Sequence, residues 1–194
     1  MGFDAEIHHR RSIRLCGYDY AGAGAYFLTV CTQGRECLFG TGTDGAMCRN
    51  AAGDMVRTVW DELPTRFPHV VMDVFVVMPN HVHGIVIIDD AGVGAPLVGA
   101  RFERVCPEHP EARRAGTRPA PTLGDIVGAF KSLTTTAYVH GVEQHGWPPF
   151  PGRLWQRNYH ERIIRHDGEL AAVRDYIAAN PLNWLLDPDC PTPL

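Results

Sequence analysis

Lysine is almost absent from this sequence: of the 18 basic residues, 17 are arginines and one is Lys131. The net charge of −4 at pH 7 argues against a surface that binds polyanions over its whole area. Arginine, however, is the side chain suited to bidentate phosphate contacts and to stacking on bases. Local arginine patches could therefore bind nucleic acid, although a solvated charged surface is the usual explanation of such runs.

Long hydrophobic runs and cysteine pairs are also missing. No apolar run approaches the ~18 residues that a membrane-spanning helix needs, and the segment 1–15 lacks the apolar core of a secretory signal. The six cysteines form no CxxC pair, so we expect no disulfide framework. Cys106 and His109 could be half of a zinc site, but no second half lies near them in the sequence. These features predict a reduced, cytoplasmic protein without membrane attachment.

The length and composition fit one globular domain with its own core. The chain has 194 residues, of which 45% are hydrophobic and 21% are charged. We expect a single domain over residues 1–194, with an N-terminal arm at 1–24. Residues 91–121 are rich in Gly, Pro, Ala and Arg without periodicity, which predicts a flexible surface insertion.

Hydrophobic periodicity predicts the order strand, helix, hairpin, helix, strand, helix. A glycine-rich turn at 40–45 is expected to break regular structure, and Thr122 begins a capping box for the second helix. Pro64 and Pro181 are expected to end the first and last helices, and Asp167 to cap the last one. The predicted elements are residues 25–32, 51–63, 70–88, the helix from Thr122, 154–165 and 167–179. This order indicates an α+β fold: a ferredoxin-like sandwich in which helices cover one face of an antiparallel sheet and a C-terminal helix is added.

Two histidines, His81 and His83, lie at the start of the second strand of the hairpin VVMDVFVVMPNHVHGIVII. Side chains at positions i and i+2 of a strand point to the same face, so both imidazoles are aimed in one direction. Such a pair holds a metal ion in some proteins and is simply hydrogen-bonded or solvated in others. The apolar runs on both sides predict a buried hairpin, in which two polar rings need a partner or a ligand.

A tyrosine and an amide lie near the end of the final helix. Tyr176 is roughly a quarter-turn from the apolar stripe, and Asn180 follows it at i+4 on the same side. The two side chains could therefore face the histidine strand together. A tyrosine at the edge between a helix and a sheet is commonly structural, and Tyr159 of the preceding strand is a competing candidate.

Five segments together resemble the REP-associated tyrosine transposases, a branch of the single-tyrosine HUH transposases. In chain order they are RRSIRLCGYDYAGAGAYFLTVCTQGRECLFG, MPNHVHGIVII, LGDIVGAFKSLTT, LWQRNYHERIIR and YIAANP. The resemblance extends from about residue 10 to residue 184. The joint pattern is far more specific than the histidine pair alone.

This resemblance implies a function and a set of site residues. The family consists of nucleases that cut and rejoin single-stranded DNA, typically at hairpin-forming repeats, on a ferredoxin-like fold. By resemblance, His81 and His83 bind a metal ion, Asn180 completes the metal site, and Tyr176 is the nucleophile that forms a covalent 5′-phosphotyrosine. The implied cofactor is Mg²⁺ or Mn²⁺, the implied partner is single-stranded DNA with hairpin or palindromic repeats, and a homodimer is left open.

Aromatic and basic side chains are candidates for DNA capture. Trp155 or Tyr159 could stack on bases. The candidate phosphate contacts are Arg10, Arg11, Arg14 and Lys131.

Two other functions are compatible with the sequence. A non-catalytic nucleic-acid-binding module derived from such a transposase would bind DNA without nicking it. A metal phosphodiesterase that uses water would cut DNA without a protein–DNA adduct.

Overall fold

The computed structural model describes residues 22–43, 45–89, 121–187 and 190–191. The predicted arm at 1–24 and the predicted insertion at 91–121 lie almost wholly outside these described residues. The helices are α1 (Ala51–Arg66), α2 (Leu123–His145) and α3 (Asp167–Ala179). The strands are β1 (Gly24–Cys31), β2 (Gly40–Thr43), β3 (Ala46–Arg49), β4 (Val70–Val77), β5 (His81–Ile88) and β6 (His160–Ile164). Two 3₁₀ turns follow β1 and α3, at Gln33–Arg35 and Asn180–Leu186.

A four-stranded antiparallel sheet in the order β4-β5-β1-β6 lies at the centre of the fold. β5 is buried along its whole length, because it lies between two neighbouring strands and is covered on both faces. In this strand order, α1 connects the first part of the chain to the hairpin β4–β5, and α2 follows that hairpin. The arrangement confirms the predicted ferredoxin-like α+β sandwich.

Helices cover both faces of the sheet. α1 and α2 pack together on one face, against alternate residues of β1 and β5. α3 lies on the opposite face, where Leu170, Val173 and Ile177 meet Ile85 and Ile87. Since side chains alternate along a strand, the odd-numbered residues of β5 face α3.

The glycine-rich segment 40–45 differs from its prediction. Rather than breaking regular structure, its residues 40–43 form β2, which pairs with β3 in a two-stranded antiparallel sheet. Gly42 lies against Trp184, and a Cβ atom at this position would come within 2.3 Å of the indole Cδ1. The glycine therefore permits close packing inside a strand, through a contact with a residue far away in the sequence.

Two other element boundaries were wrong. α1 continues through Pro64 to Arg66, because a proline near the end of a helix removes one N–H but leaves the next residues able to stay helical. β6 begins at His160 rather than at residue 154. The segment 154–159, predicted as the first half of this strand, is not part of the main sheet. It pairs with the chain after β1 only through an isolated bridge between Trp155 and Thr32.

The N-terminal cap of α3 differs from its prediction. His166, not Asp167, caps this helix, since its Nδ1 accepts a hydrogen bond from the backbone N–H of Glu169 at 3.1 Å. α3 ends at Ala179, as predicted from Pro181, and the chain continues into the 3₁₀ turn 180–186, with this proline in its first residues. This turn leads the chain back over β2 and β3.

Within the described residues no disulfide joins the cysteines, which are Cys31, Cys37, Cys48 and Cys190. Only the first of these is buried. Among the residues that the structure describes, no helix combines the length and the apolar character needed to cross a membrane.

Candidate active site

His81 and His83 are the first and third residues of β5 and lie on the sheet face that α3 covers. The register places them opposite Cys31 and Thr29 of β1. Both imidazoles are buried, with exposed fractions of 0% and 4%. The two rings therefore point the same way, as the spacing predicts.

The two Nε2 atoms face each other at a distance of 3.1 Å. Asn80 Oδ1 accepts a hydrogen bond from Nδ1 of His81 at 2.9 Å, and the Thr29 hydroxyl lies 2.8 Å from Nδ1 of His83. Contacts of this kind at Nδ1 fix the orientation of the ring and direct Nε2 at a metal ion. The arrangement is typical of histidines that bind a metal through Nε2.

Both imidazoles are neutral at physiological pH. Burial lowers the pKa of His81 to about 4, and the positive charge of Arg35 acts in the same direction. Burial, together with the neighbouring His81, lowers the pKa of His83 to about 3. The neutral imidazole is the form that binds metals.

Tyr176 lies on α3 beside this pair. Its ring centroid is 5.4 Å from that of His83 and 5.9 Å from that of Phe27. The side chain is 49% exposed, so solvent and ligands can reach the phenol. Burial raises the pKa of Tyr176, and the Asp187 carboxylate raises it further.

Asn180 occupies the first position of the 3₁₀ turn and is 3% exposed. Its side chain lies close enough to Tyr176 and Asp187 to lower the pKa of each through hydrogen bonding. Its Oδ1 is buried and accepts no hydrogen bond. A buried acceptor without a donor is costly, and this oxygen is therefore suited to a cation.

Asp187 is a site residue that sequence reasoning missed. Its Oδ2 lies 4.0 Å from Nε2 of His81, and ligand atoms of His81, His83 and Asp187 all lie within 4.8 Å of one another. The 3₁₀ turn positions the carboxylate: Trp184 packs against His81 with ring centroids 6.0 Å apart, and its carbonyl accepts from the Asp187 N–H at 3.1 Å. The one sign of this role in the sequence is an acidic residue shortly after the end of α3. The prediction stopped at Pro181, so it did not include the turn that carries this carboxylate back to the histidines.

These residues fit a divalent cation. Two nitrogen ligands about 2.1 Å from a metal and at right angles to each other lie about 3.0 Å apart, which is close to the observed Nε2 separation of 3.1 Å. Asn180 Oδ1 and Asp187 Oδ2 add two oxygens. Imidazole suits Mn²⁺ better than Mg²⁺, and the oxygens suit either ion.

One predicted phosphate contact lies within the described residues. Lys131 Nζ donates to the carbonyl oxygens of Gln156 at 3.0 Å and Asn158 at 3.1 Å, and burial lowers the pKa of Lys131 to about 8. The amine thus ties the segment before β6 to α2, and a role in binding DNA stays a prediction. Outside the described residues lie Arg10, Arg11 and Arg14.

The two aromatic candidates for base stacking differ in their surroundings. Trp155 is buried in the core, and its Nε1 donates to Thr134 Oγ1 at 2.8 Å. Its ring therefore has no open face for a base. Tyr159 is half-buried, and the Lys131 amine lies 5.3 Å from the centre of its ring.

No protein-family model matches this chain. A protein of Haemophilus influenzae, described as uncharacterized, is 37% identical over 185 residues, which cover 95% of each chain. The chain belongs to the same family as this protein. Because the match spans nearly the full length of both proteins, the family shares the whole domain rather than a single motif.

The fold of this chain is similar to that of a solved REP-associated tyrosine transposase bound to a REP hairpin. The match has a TM-score of 0.53 at 17% sequence identity and covers 89% of this chain and 73% of that chain. This similarity confirms, at the level of the fold, the resemblance to REP-associated tyrosine transposases that the sequence motifs predict.

Proposed function

We propose that this protein is a transposase: a metal-dependent endonuclease and strand transferase for single-stranded DNA with hairpin-forming repeats, acting through Tyr176. The observation that carries the proposal is an exposed tyrosine whose ring lies 5.4 Å from that of a buried, neutral histidine in a candidate metal site. A nucleophile next to a cation that can bind a phosphate has the placement that covalent phosphoryl transfer requires. The REP hairpin bound to the transposase of similar fold supports this class of DNA as the substrate.

The site residues can hold a cation and present the nucleophile. Mg²⁺ or Mn²⁺ held by His81, His83, Asn180 and Asp187 would supply a Lewis acid for a phosphodiester oxygen. The Tyr176 phenol oxygen attacks phosphorus and loses its proton, the bond from phosphorus to O3′ breaks, and O3′ leaves as a hydroxyl. The resulting 5′-phosphotyrosine keeps the bond energy, so a second 3′-hydroxyl can reverse the step and join strands without ATP.

The surroundings of Tyr176 couple its reactivity to cation binding. Burial and the negative charge of Asp187 both raise the pKa of Tyr176, so the phenol stays protonated. When a cation compensates the carboxylate charge, this electrostatic opposition to the phenolate disappears. Cation binding would therefore favour the phenolate that attacks phosphorus.

Several features favour catalysis over a passive nucleic-acid-binding module. The two Nε2 atoms lie 3.1 Å apart, the ring of the exposed Tyr176 lies 5.4 Å from that of His83, and Asn180, with its buried Oδ1 that has no donor, lies beside both Tyr176 and His81. A module that only binds DNA needs none of these. A phosphodiesterase that uses water needs the cation site but not Tyr176.

The change Tyr176→Phe tests the proposal. With labelled single-stranded hairpin DNA and Mn²⁺, the wild-type protein should give a protein–DNA adduct that survives denaturation. The variant should give neither adduct nor cut DNA, yet bind the DNA with similar affinity, because phenylalanine keeps the ring and removes only the nucleophile. Tyr159→Phe is the matched control and should form the adduct normally.

Each alternative has its own outcome in this experiment. Cut DNA with Tyr176→Phe, and no adduct with either protein, would indicate a phosphodiesterase that uses water. Binding without cutting by the wild-type protein, with or without Mn²⁺, would indicate the non-catalytic module.

A further inference from the structure

The turn after β1 holds an arginine in an unusual backbone conformation. Gly34 has φ 68° and Arg35 has φ 57°. Within the described residues, Arg35 is the only residue other than glycine with a positive φ. The left-handed region is unfavourable for a residue with a Cβ atom, so surrounding contacts must hold Arg35 there.

Those contacts come from the residues that build the histidine site. Asn80 Nδ2 donates to the Arg35 carbonyl at 3.1 Å, while Oδ1 of the same amide accepts from His81 Nδ1 at 2.9 Å. The Arg35 N–H donates to the Thr32 carbonyl at 3.2 Å. Asn80 is fully buried, so one amide fixes both the arginine backbone and the orientation of an imidazole.

The side chain of Arg35 is exposed and its charge acts on the site. Burial lowers the pKa of His81 most, and the positive charge of Arg35 lowers it next. Asn80 ties the Arg35 backbone to the His81 ring, and the side chain of Arg35 is exposed. The guanidinium is therefore within reach of a phosphate that binds at the site.

We propose that Arg35 binds a non-bridging oxygen of the DNA phosphate that Tyr176 attacks. This inference rests on the proposed function. A phosphodiester carries one negative charge, and more charge collects on its oxygens as the bond from tyrosine forms and the bond to O3′ breaks. A guanidinium presents two parallel N–H donors to such oxygens. The backbone that carries it is held by Asn80, which limits the reorganisation needed during the reaction.

The test compares Arg35→Ala with wild type on a single-stranded hairpin DNA at saturating concentration with Mn²⁺. The rate of adduct formation should fall by about 100-fold or more, while the Mn²⁺ affinity in calorimetry should not decrease and the melting temperature should stay unchanged. Arg35→Lys should be intermediate, because it keeps the charge and loses the paired donors. Arg66→Ala, an exposed arginine at the end of α1, is the control and should react at the wild-type rate.

A neutral linkage at the cleaved position separates phosphate binding from a purely structural role. A methylphosphonate replaces one non-bridging oxygen by a methyl group, so Arg35 loses its charged partner. With one of the two stereoisomers, the difference between wild type and Arg35→Ala should shrink to within about tenfold. An undiminished difference with both stereoisomers, a loss of rate matched by a loss of Mn²⁺ affinity, or a wild-type rate for Arg35→Ala would overturn the inference.

The proposed function and this inference fail in distinguishable ways. If the wild-type protein forms no adduct on any hairpin DNA, both are wrong. If the wild-type protein forms the adduct and Arg35→Ala forms it equally fast, only the role of Arg35 is wrong.

Discussion

Asp187 is the residue whose role depends most on the three-dimensional structure, because its carboxylate meets the histidines only through the 3₁₀ turn. Asp187→Asn keeps the shape of the side chain and removes its charge. We expect it to weaken Mn²⁺ binding by about 10- to 100-fold, since a charged oxygen near His81 Nε2 is lost. Isothermal titration calorimetry with Mn²⁺, in the absence of DNA, measures this effect.

The control for this variant lies on α3. Asp175 is an exposed carboxylate of that helix, and Asp175→Asn should leave the Mn²⁺ affinity unchanged. Equal Mn²⁺ affinities for wild type and Asp187→Asn would show that this carboxylate is not a ligand.

At the scale of secondary-structure elements, β5 depends on one glycine for its packing. A Cβ atom at Gly84 would lie 2.5 Å from Cζ2 of Trp60 and 2.8 Å from Cδ2 of Phe75. Both are ring atoms of a buried, stacked pair that cannot easily move. Gly84→Ala should therefore lower the free energy of unfolding by about 1–3 kcal/mol, as measured by urea denaturation.

A glycine on α2 provides the matched comparison. Gly128 is exposed in the helix interior, and a Cβ atom there would meet nothing within 4 Å. Gly128→Ala should raise the free energy of unfolding by about 0.5–1 kcal/mol, since it removes backbone freedom from the unfolded chain. Equal effects of the two substitutions would contradict the packing described for β5.

The elements also show which parts of the structure the sequence predicts. The apolar run of β5 and the apolar stripe of α3 predict both elements, because β5 is buried on both faces and α3 on one. The hairpin of β2 and β3 was missed, since Gly42 depends on contact with Trp184. Asp187 and Arg35 were missed for the same reason: a 3₁₀ turn and a left-handed residue place them, and neither leaves a periodic pattern.

At the scale of the whole molecule, burying two neutral imidazoles makes stability depend on pH. The pKa of His81 is about 4 and that of His83 about 3 in the folded chain, against about 6.5 in an unfolded chain. Below pH ~6.5 the unfolded state binds more protons than the folded state, so the free energy of unfolding decreases as the pH is lowered. The expected loss is about 2 kcal/mol for each histidine between pH 7 and pH 5.

Urea denaturation in EDTA at pH 7, 6 and 5 measures this dependence. A variant with both His81→Asn and His83→Asn should lose stability less steeply over this range, whatever its stability at pH 7. His140→Asn, at an exposed position of α2, should keep the wild-type slope. The same slope in the double variant as in wild type would contradict the assignment of the effect to the buried pair.

The central claim is that DNA becomes covalently attached to Tyr176, and the chain is convenient for locating the attachment. After Arg174 there is no further lysine or arginine, so trypsin releases one peptide, residues 175–194, whose only tyrosine is Tyr176. Tyr159 lies in a separate peptide, residues 158–162. Mass spectrometry of the adduct, after nuclease and trypsin digestion, should find the nucleotide on the peptide 175–194. Cut DNA with this peptide unmodified, or a nucleotide on the peptide that contains Tyr159, would contradict the account.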